Sequence, residues 1–279
     1  MGDARAMWIL FEPIHVVTYF DQRARDRFIA AGLRGFWRGY FAGRSAPLGA
    51  VGAAPIIASF YSFAPSMVSR ALPEVWTMAT PAEVLAARVM GAVEALSGLL
   101  AEAPIEQVEE AAGLLDAAVA TLEPAGRVLG AANAALPGYE HPYARLFQAA
   151  TTLREHRGDG HVAALVTVDL GPLEILALRC GMDMSREYVQ PVRGWSDEEW
   201  SAAQGRLVDR GLLDRSCAVT HEGRDLFRFA EEATNRAAEA PWNAVGPTAV
   251  ARLKQLLTPM AAVCRTVLPA DSPIGLPTH

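Results

Sequence analysis

"AAQGRLVDRGLLDRSCAVTHEGRDLFRFAEEAT", residues 202–234, decides how the rest of the chain is read. It begins inside a helix that opens upstream at Ser196, with Glu199 three residues on, the reciprocal pairing of a capping box. Trp200, Ala203 and Leu207 recur at helical spacing on one face, and Gly211 supplies the stop. "SCAVTHEG" (216–223) is the best strand signal in the chain and predicts one short β-hairpin, followed by a helix over 222–239.

Outward from this stretch, helix signals dominate. "TPAEVLAARVMGAVEALSGLL" (80–100) has Thr80 as cap, Pro81 at the first helical position and Glu83 at the third. Further helices are predicted near 21–41, 104–121, 142–155, 171–180 and 247–266. Displacing the chain by 119 residues aligns Arg38-Gly39 with Arg157-Gly158, Ser66 with Ser185, and Trp76 with Trp195. This predicts a tandem duplication: an N-terminal domain over 1–137 and a C-terminal domain over 138–279, packed as a pseudo-dimer. The linker is expected near "ALPGYEHP" (135–142).

Composition narrows the function classes. With 279 residues, 51% of them hydrophobic, the chain can bury a large core. Its net charge of −6, with Lys254 its single lysine, is the opposite of a phosphate-neutralising surface. No apolar run is long enough for a transmembrane helix. "MWILFEPIHVVTYF" (7–20) is interrupted by Glu12, Pro13 and His15 and lacks a cleavage site, so a cytoplasmic protein is expected. Cys180, Cys217 and Cys264 are far apart, which argues against a disulfide framework or a thiolate zinc site.

"RLVDRGLLDR" and "VTHEGRDL" resemble the recognition-helix end, wing strand and following helix of the MarR-type winged helix-turn-helix family. Over nearly the whole chain, "EPIHVVTYF", "GFWRGYFAGRSAPLG", "HRGDGH", "RGW" and the "PIGLP" tail are similar to an actinobacterial family of MarR-like proteins, a resemblance that brings no established activity. It implies a mainly α fold of tandem winged helix-turn-helix-like halves with one β-hairpin wing. The helix matching the DNA reader opens Asp197, Glu198, Glu199, where carboxylates would face phosphates. Only Arg206 and Arg210 in it are basic, and the wing lacks an arginine cluster. DNA is therefore a disfavoured partner, and a scaffold that keeps a small-molecule pocket is the preferred reading.

Three stretches carry candidate chemistry. In "HRGDGH" (156–161) two glycines predict a turn between helices, with Asp159 capping the next one and Arg157 paired to it. The functional alternative presents His161 and Arg157 into a cleft, with His161 as acid/base oriented by Asp159. A metal on His156, Asp159 and His161 is a third alternative, weakened by the helical context. In "EPIHVVTYF", Glu12, His15 and Tyr19 lie on one face of a helix starting after Pro13, either as core or as ligand contacts, with an axial haem ligand at His15 also open. "GLRGFWRGYFAGRSAPLG" (32–49) interleaves Arg34, Arg38 and Arg44 with Phe36, Trp37, Tyr40 and Phe41, as core packing or as the wall of a pocket. Motifs of the common hydrolases, nucleotide binders and metalloproteases are absent.

The expectation is thus a small-molecule-binding protein, monomeric as a pseudo-dimer or homodimeric, whose cofactors the sequence leaves unknown. Its pocket between the halves takes an aromatic or acyl-type metabolite on His15, Tyr19, Trp37, Tyr40, Arg44, His156 and Arg157. An enzyme using His161 and Asp159 is the first alternative, and a DNA-binding regulator the second.

Overall fold

The computed structural model describes residues 2–269, so the "PIGLP" tail lies outside the described residues. Among the described residues fourteen α-helices follow one another: α1 (Asp3–Phe20), α2 (Gln22–Ala30), α3 (Phe36–Ser45), α4 (Ala53–Phe60), α5 (Pro65–Ser69), α6 (Pro81–Leu99), α7 (Ile105–Val119), α8 (Val128–Ala134), α9 (Pro142–Thr167), α10 (Pro172–Cys180), α11 (Arg186–Arg193), α12 (Asp197–Asp209), α13 (His221–Ala237) and α14 (Ala240–Cys264). The mainly α class stands. The capping boxes at Thr80/Glu83 and Ser196/Glu199 both form, opening α6 and α12.

The hairpin wing does not form. Among the described residues there is no strand, and the expected site holds one isolated antiparallel bridge between Leu213 and Val219. The intervening loop is tied to a single side chain instead. Asp214 Oδ1 accepts from the Ser216 amide, the Ser216 hydroxyl and the Ala218 amide at 2.6–3.1 Å. A knot this tight satisfies the backbone locally and leaves no length for a ladder.

Glycine and proline signals misplace three other boundaries. The single helix expected over 21–41 is two, separated where Gly32 and Gly35 take φ of 92° and 89°. Helix α1 starts at Asp3 and runs through Pro13 instead of beginning after it. The proline leaves the Ile9 carbonyl without its intrahelical donor, and Arg265 Nη2 donates to it at 3.2 Å. The turn expected at "HRGDGH" is the middle of α9, an unbroken 26-residue helix. Each glycine there costs about 1 kcal/mol of helix propensity relative to alanine. Contacts on several sides offset it: Gly130 N donates to Asp159 Oδ2 at 2.8 Å, and Arg127 Nη1 to the His156 carbonyl at 3.2 Å.

Among the described residues three apolar cores result. The first joins α1, α6, α7, α9 and α14 around Phe11, Leu115, Phe147 and Trp242. The second gathers α2 to α6 around Phe28, Phe41, Phe60 and Phe63. The third holds α10 to α13 around the fully buried Trp200 and Leu207. Trp195 packs against both the second and the third, and its indole N–H donates to the Ser62 carbonyl at 3.1 Å. Tyr61 likewise donates to the Leu170 carbonyl at 2.7 Å, and the Ala64 amide to the Arg193 carbonyl at 2.9 Å. These bonds hold the segment after α4 against α10 and α11, and a space is left between them and α9.

Candidate functional site

That space is a cavity of about 820 Å³, large enough for a drug-sized molecule. Helix α9 supplies its floor. Arg154, Arg157, Gly158, His161, Val162 and Leu165 recur at three- and four-residue spacing, so they share one helix face, and all of them line the cavity. The opposite wall is aromatic. Tyr19, Phe20, Phe36, Trp37, Tyr40, Phe60 and Phe63 line it, with Phe36 stacked on Tyr40 at 6.1 Å and Tyr19 tilted against Tyr40 at 4.8 Å.

A buried charge network crosses the wall. Arg44 Nε and Nη2 donate to the two oxygens of Glu155 at 2.8 and 2.9 Å, while Nη1 donates to the Tyr40 hydroxyl at 3.0 Å. The same Glu155 accepts from Arg154 Nη1 at 2.9 Å, and Arg154 Nε reaches Glu12 at 3.3 Å. Burial alone would raise the Glu155 carboxyl, but the Arg154 and Arg44 guanidiniums outweigh it and hold it well below the usual range. Across the cavity, Glu231 takes Arg5 Nη1 at 2.6 Å and Arg157 Nη2 at 3.3 Å. The Arg157 guanidinium lies 4.5 Å from the Trp8 ring centroid.

His161 is neutral near pH 7. Burial brings it down to about 4, against the opposing pull of Glu231. Its tautomer follows from its neighbour. Thr234 Oγ1 donates to the Ala230 carbonyl at 2.8 Å, so at its 3.0 Å contact with His161 Nδ1 it acts as acceptor. Nδ1 therefore carries the proton and Nε2 presents a lone pair, suited to accept from a ligand hydroxyl or amine.

Of the residues singled out in the sequence, Glu12, Tyr19, Phe36, Trp37, Tyr40, Arg44, Arg157 and His161 come together around this cavity; His15, His156 and Asp159 do not. His15 is buried against Phe147 with Nδ1 at 3.0 Å from Thr151 Oγ1, and burial holds it well below its ordinary value. His156 backs onto α8, and burial brings it down to about 4. Asp159 faces α8 through Gly130, and burial pushes it up to about 6. Residues two apart on a helix lie about 200° around its axis, so Asp159 does not orient His161. The two histidines and the aspartate accordingly face different partners, and no group of three metal-ligating side chains is assembled among the described residues.

Sequence reading missed Trp8, Arg154, Glu155, Gly158, Arg193 and Glu231, all of which line the cavity. Reading "LREHRGDGH" (153–161) as helix would have found three of them, because Arg154 and Gly158 then share a face with Arg157 and His161, with Glu155 at its edge. Arg193 and Glu231 arrive from α11 and α13, and nothing local marks them.

The chain belongs to a helix-turn-helix family, whose model matches residues 4–269. No curated protein and no solved structure matches it. Arg206 of α12 and Arg210 just after it each bond back to the protein. Arg206 Nε bonds Glu174 at 2.8 Å, and Arg210 Nη1 bonds the Asp169 carbonyl at 2.6 Å. No single helix among the described residues is long and apolar enough to cross a membrane.

Proposed function

We propose that this helix-turn-helix family member is a small-molecule-binding protein whose cavity takes an aromatic or acyl-type metabolite. The observation that carries the reading is the wall itself: an aromatic face opposite buried arginines and a neutral histidine, around about 820 Å³. A core built for stability alone would be filled, since interiors pack as densely as organic crystals. Reading the chain as two related halves, 1–137 and 138–279, has support in helix spacing. α4 and α10 begin 119 positions apart, at Ala53 and Pro172, and α7 and α13 begin 116 apart, at Ile105 and His221. On this reading the cavity lies where α3 and α4 of one half meet α9, α10 and α11 of the other.

Native mass spectrometry of freshly purified protein tests the function, with Gly158→Leu beside it. Gly158 lines the cavity, and a Cβ there meets nothing nearer than 3.8 Å, so a leucine side chain starts without a clash and takes up cavity volume. A retained small molecule in the wild type, absent from Gly158→Leu, is expected. Retention that is equal in both proteins would place the ligand elsewhere. A clean mass in both, with salt-dependent retention on duplex DNA at physiological ionic strength, would replace the reading with the DNA-binding one that the family also accommodates.

A further inference from the structure

Resting on that reading, we propose that the ligand is a planar aromatic anion whose acid group sits on Arg154 and Arg157, over the bare stretch of α9 at Gly158. Its rings lie against Tyr19, Trp37 and Tyr40. Charge is the first argument. Six arginines line the cavity (Arg5, Arg44, Arg154, Arg157, Arg179 and Arg193) against four carboxylates (Glu12, Glu155, Asp183 and Glu231). Because His161 is neutral, the wall carries an excess of two positive charges inside a protein of net charge −6. That inversion cannot come from composition, and a low-dielectric cavity amplifies it.

Donor use is the second argument. Arg44 spends all three nitrogens on Glu155 and Tyr40. Arg179 forks onto Asp183 through Nε and Nη2, at 2.7 and 2.9 Å. Arg154 uses Nε and Nη1, and no acceptor among the described residues takes its Nη2. Arg157 holds Glu231 and Asn235 through Nη2 alone, each at 3.3 Å. Its Nη1 finds no acceptor among the described residues, and its Nε is enclosed without a partner. Unspent guanidinium donors therefore collect one helical turn apart on α9. A buried donor left unmade is costly, and a carboxylate or sulfonate oxygen is the acceptor that matches a guanidinium best.

Space is the third argument. Gly158 lies between these two arginines on the cavity face and carries no side chain, which leaves room for the acid group to approach them. The aromatic wall opposite offers ring faces to the ligand's body.

Two dyes with one ring skeleton separate the possibilities: anionic 8-anilinonaphthalene-1-sulfonate and neutral N-phenyl-1-naphthylamine. Each is titrated by fluorescence into protein shown ligand-free by native mass spectrometry. The sulfonate is expected to bind at least ~10-fold tighter, equivalent to about 1.4 kcal/mol, although the neutral dye is the more apolar. Arg157→Gln should shrink that ratio, with Arg154→Gln as the second variant should the first not fold. Gly158→Leu should abolish sulfonate binding while circular dichroism stays native. A neutral dye that binds equally well, or a ratio unmoved by both glutamine variants, overturns the anion seat. If Gly158→Leu still excludes both dyes, the cavity remains the small-molecule site. Dye binding undiminished in Gly158→Leu, or no binding of either dye by the wild type, overturns both.

Discussion

Arg44 and Glu155, 111 positions apart in sequence, meet as a two-pronged ion pair with the side chains 7% and 2% exposed. Helix α3 is thereby fastened to α9 at the edge of the cavity. Glu155 also serves Arg154, so the two partners are not equivalent. Removing one member of a buried pair typically costs 3–5 kcal/mol, because the other charge is left without compensation. Glu155→Gln, which strands two guanidiniums, is expected to lose more than Arg44→Met, and each to lose about that much in urea unfolding. The double variant should lose clearly less than the two singles added, and strict additivity would mean the pair is not coupled.

The two glycines of "HRGDGH" should respond in opposite directions. At Gly158 an added methyl meets only the ends of Glu155 and Arg154, at 3.8 and 4.0 Å. Alanine there should stabilise the protein by about 0.5–1 kcal/mol through helix propensity. At Gly160 a methyl would overlap Arg127 Nη1, which is bonded to the His156 carbonyl, so alanine should destabilise by about 1–3 kcal/mol. Thermal melts of the pair decide it, and a shared sign would contradict the close approach of Arg127.

Acid should weaken the fold before the carboxylates titrate. His156 and His161 fall to about 4 from an ordinary 6.5, and His15 lies well below it, in each case chiefly through burial. Between those values the unfolded chain binds protons that the folded one refuses. The contribution of these histidines is complete above pH 6.5 and lost as pH falls toward 4. Asp159 acts the other way: held up at about 6, it favours the fold at low pH and loses that contribution as pH rises through 6. Three histidines against one aspartate leave a net loss, so the urea midpoint should drop from pH 7 to pH 5. A flat or rising midpoint would show that these imidazoles are not buried neutral.

Helix α12 should not hold duplex DNA. Asp197, Glu198 and Glu199 crowd its first turn, Arg206 Nε is engaged by Glu174, and Arg210 Nη1 by the Asp169 carbonyl. Column retention at physiological ionic strength is expected to match that of a protein of similar acidity. A steep fall of affinity with salt would instead show several phosphate contacts.

The parts legible in the sequence were those fixed by local chemistry. Ser196 with Glu199 and Thr80 with Glu83 announce their helices because the cap is made within four residues. What failed was set by distant partners. Two glycines suggest a turn at 158–160, yet Gly130, Arg127 and Asn235 hold α9 straight from outside. Pro13 suggests a helix start, and an arginine more than 250 residues away repairs the bond it removes. The aromatic wall was visible as Trp37 and Tyr40 beside Arg44. On the opposite wall "HRGDGH" starts two residues too late to include Arg154 and Glu155, and as a turn it shows no common face.

Gly158 gives the cavity an unusual evolutionary exposure. The charged frame around it is interlocked, so its members can change only together. At this single position, however, a Cβ meets nothing nearer than 3.8 Å, so a side chain can begin there in empty volume. A chain that differed here would keep the same scaffold around a differently sized chamber.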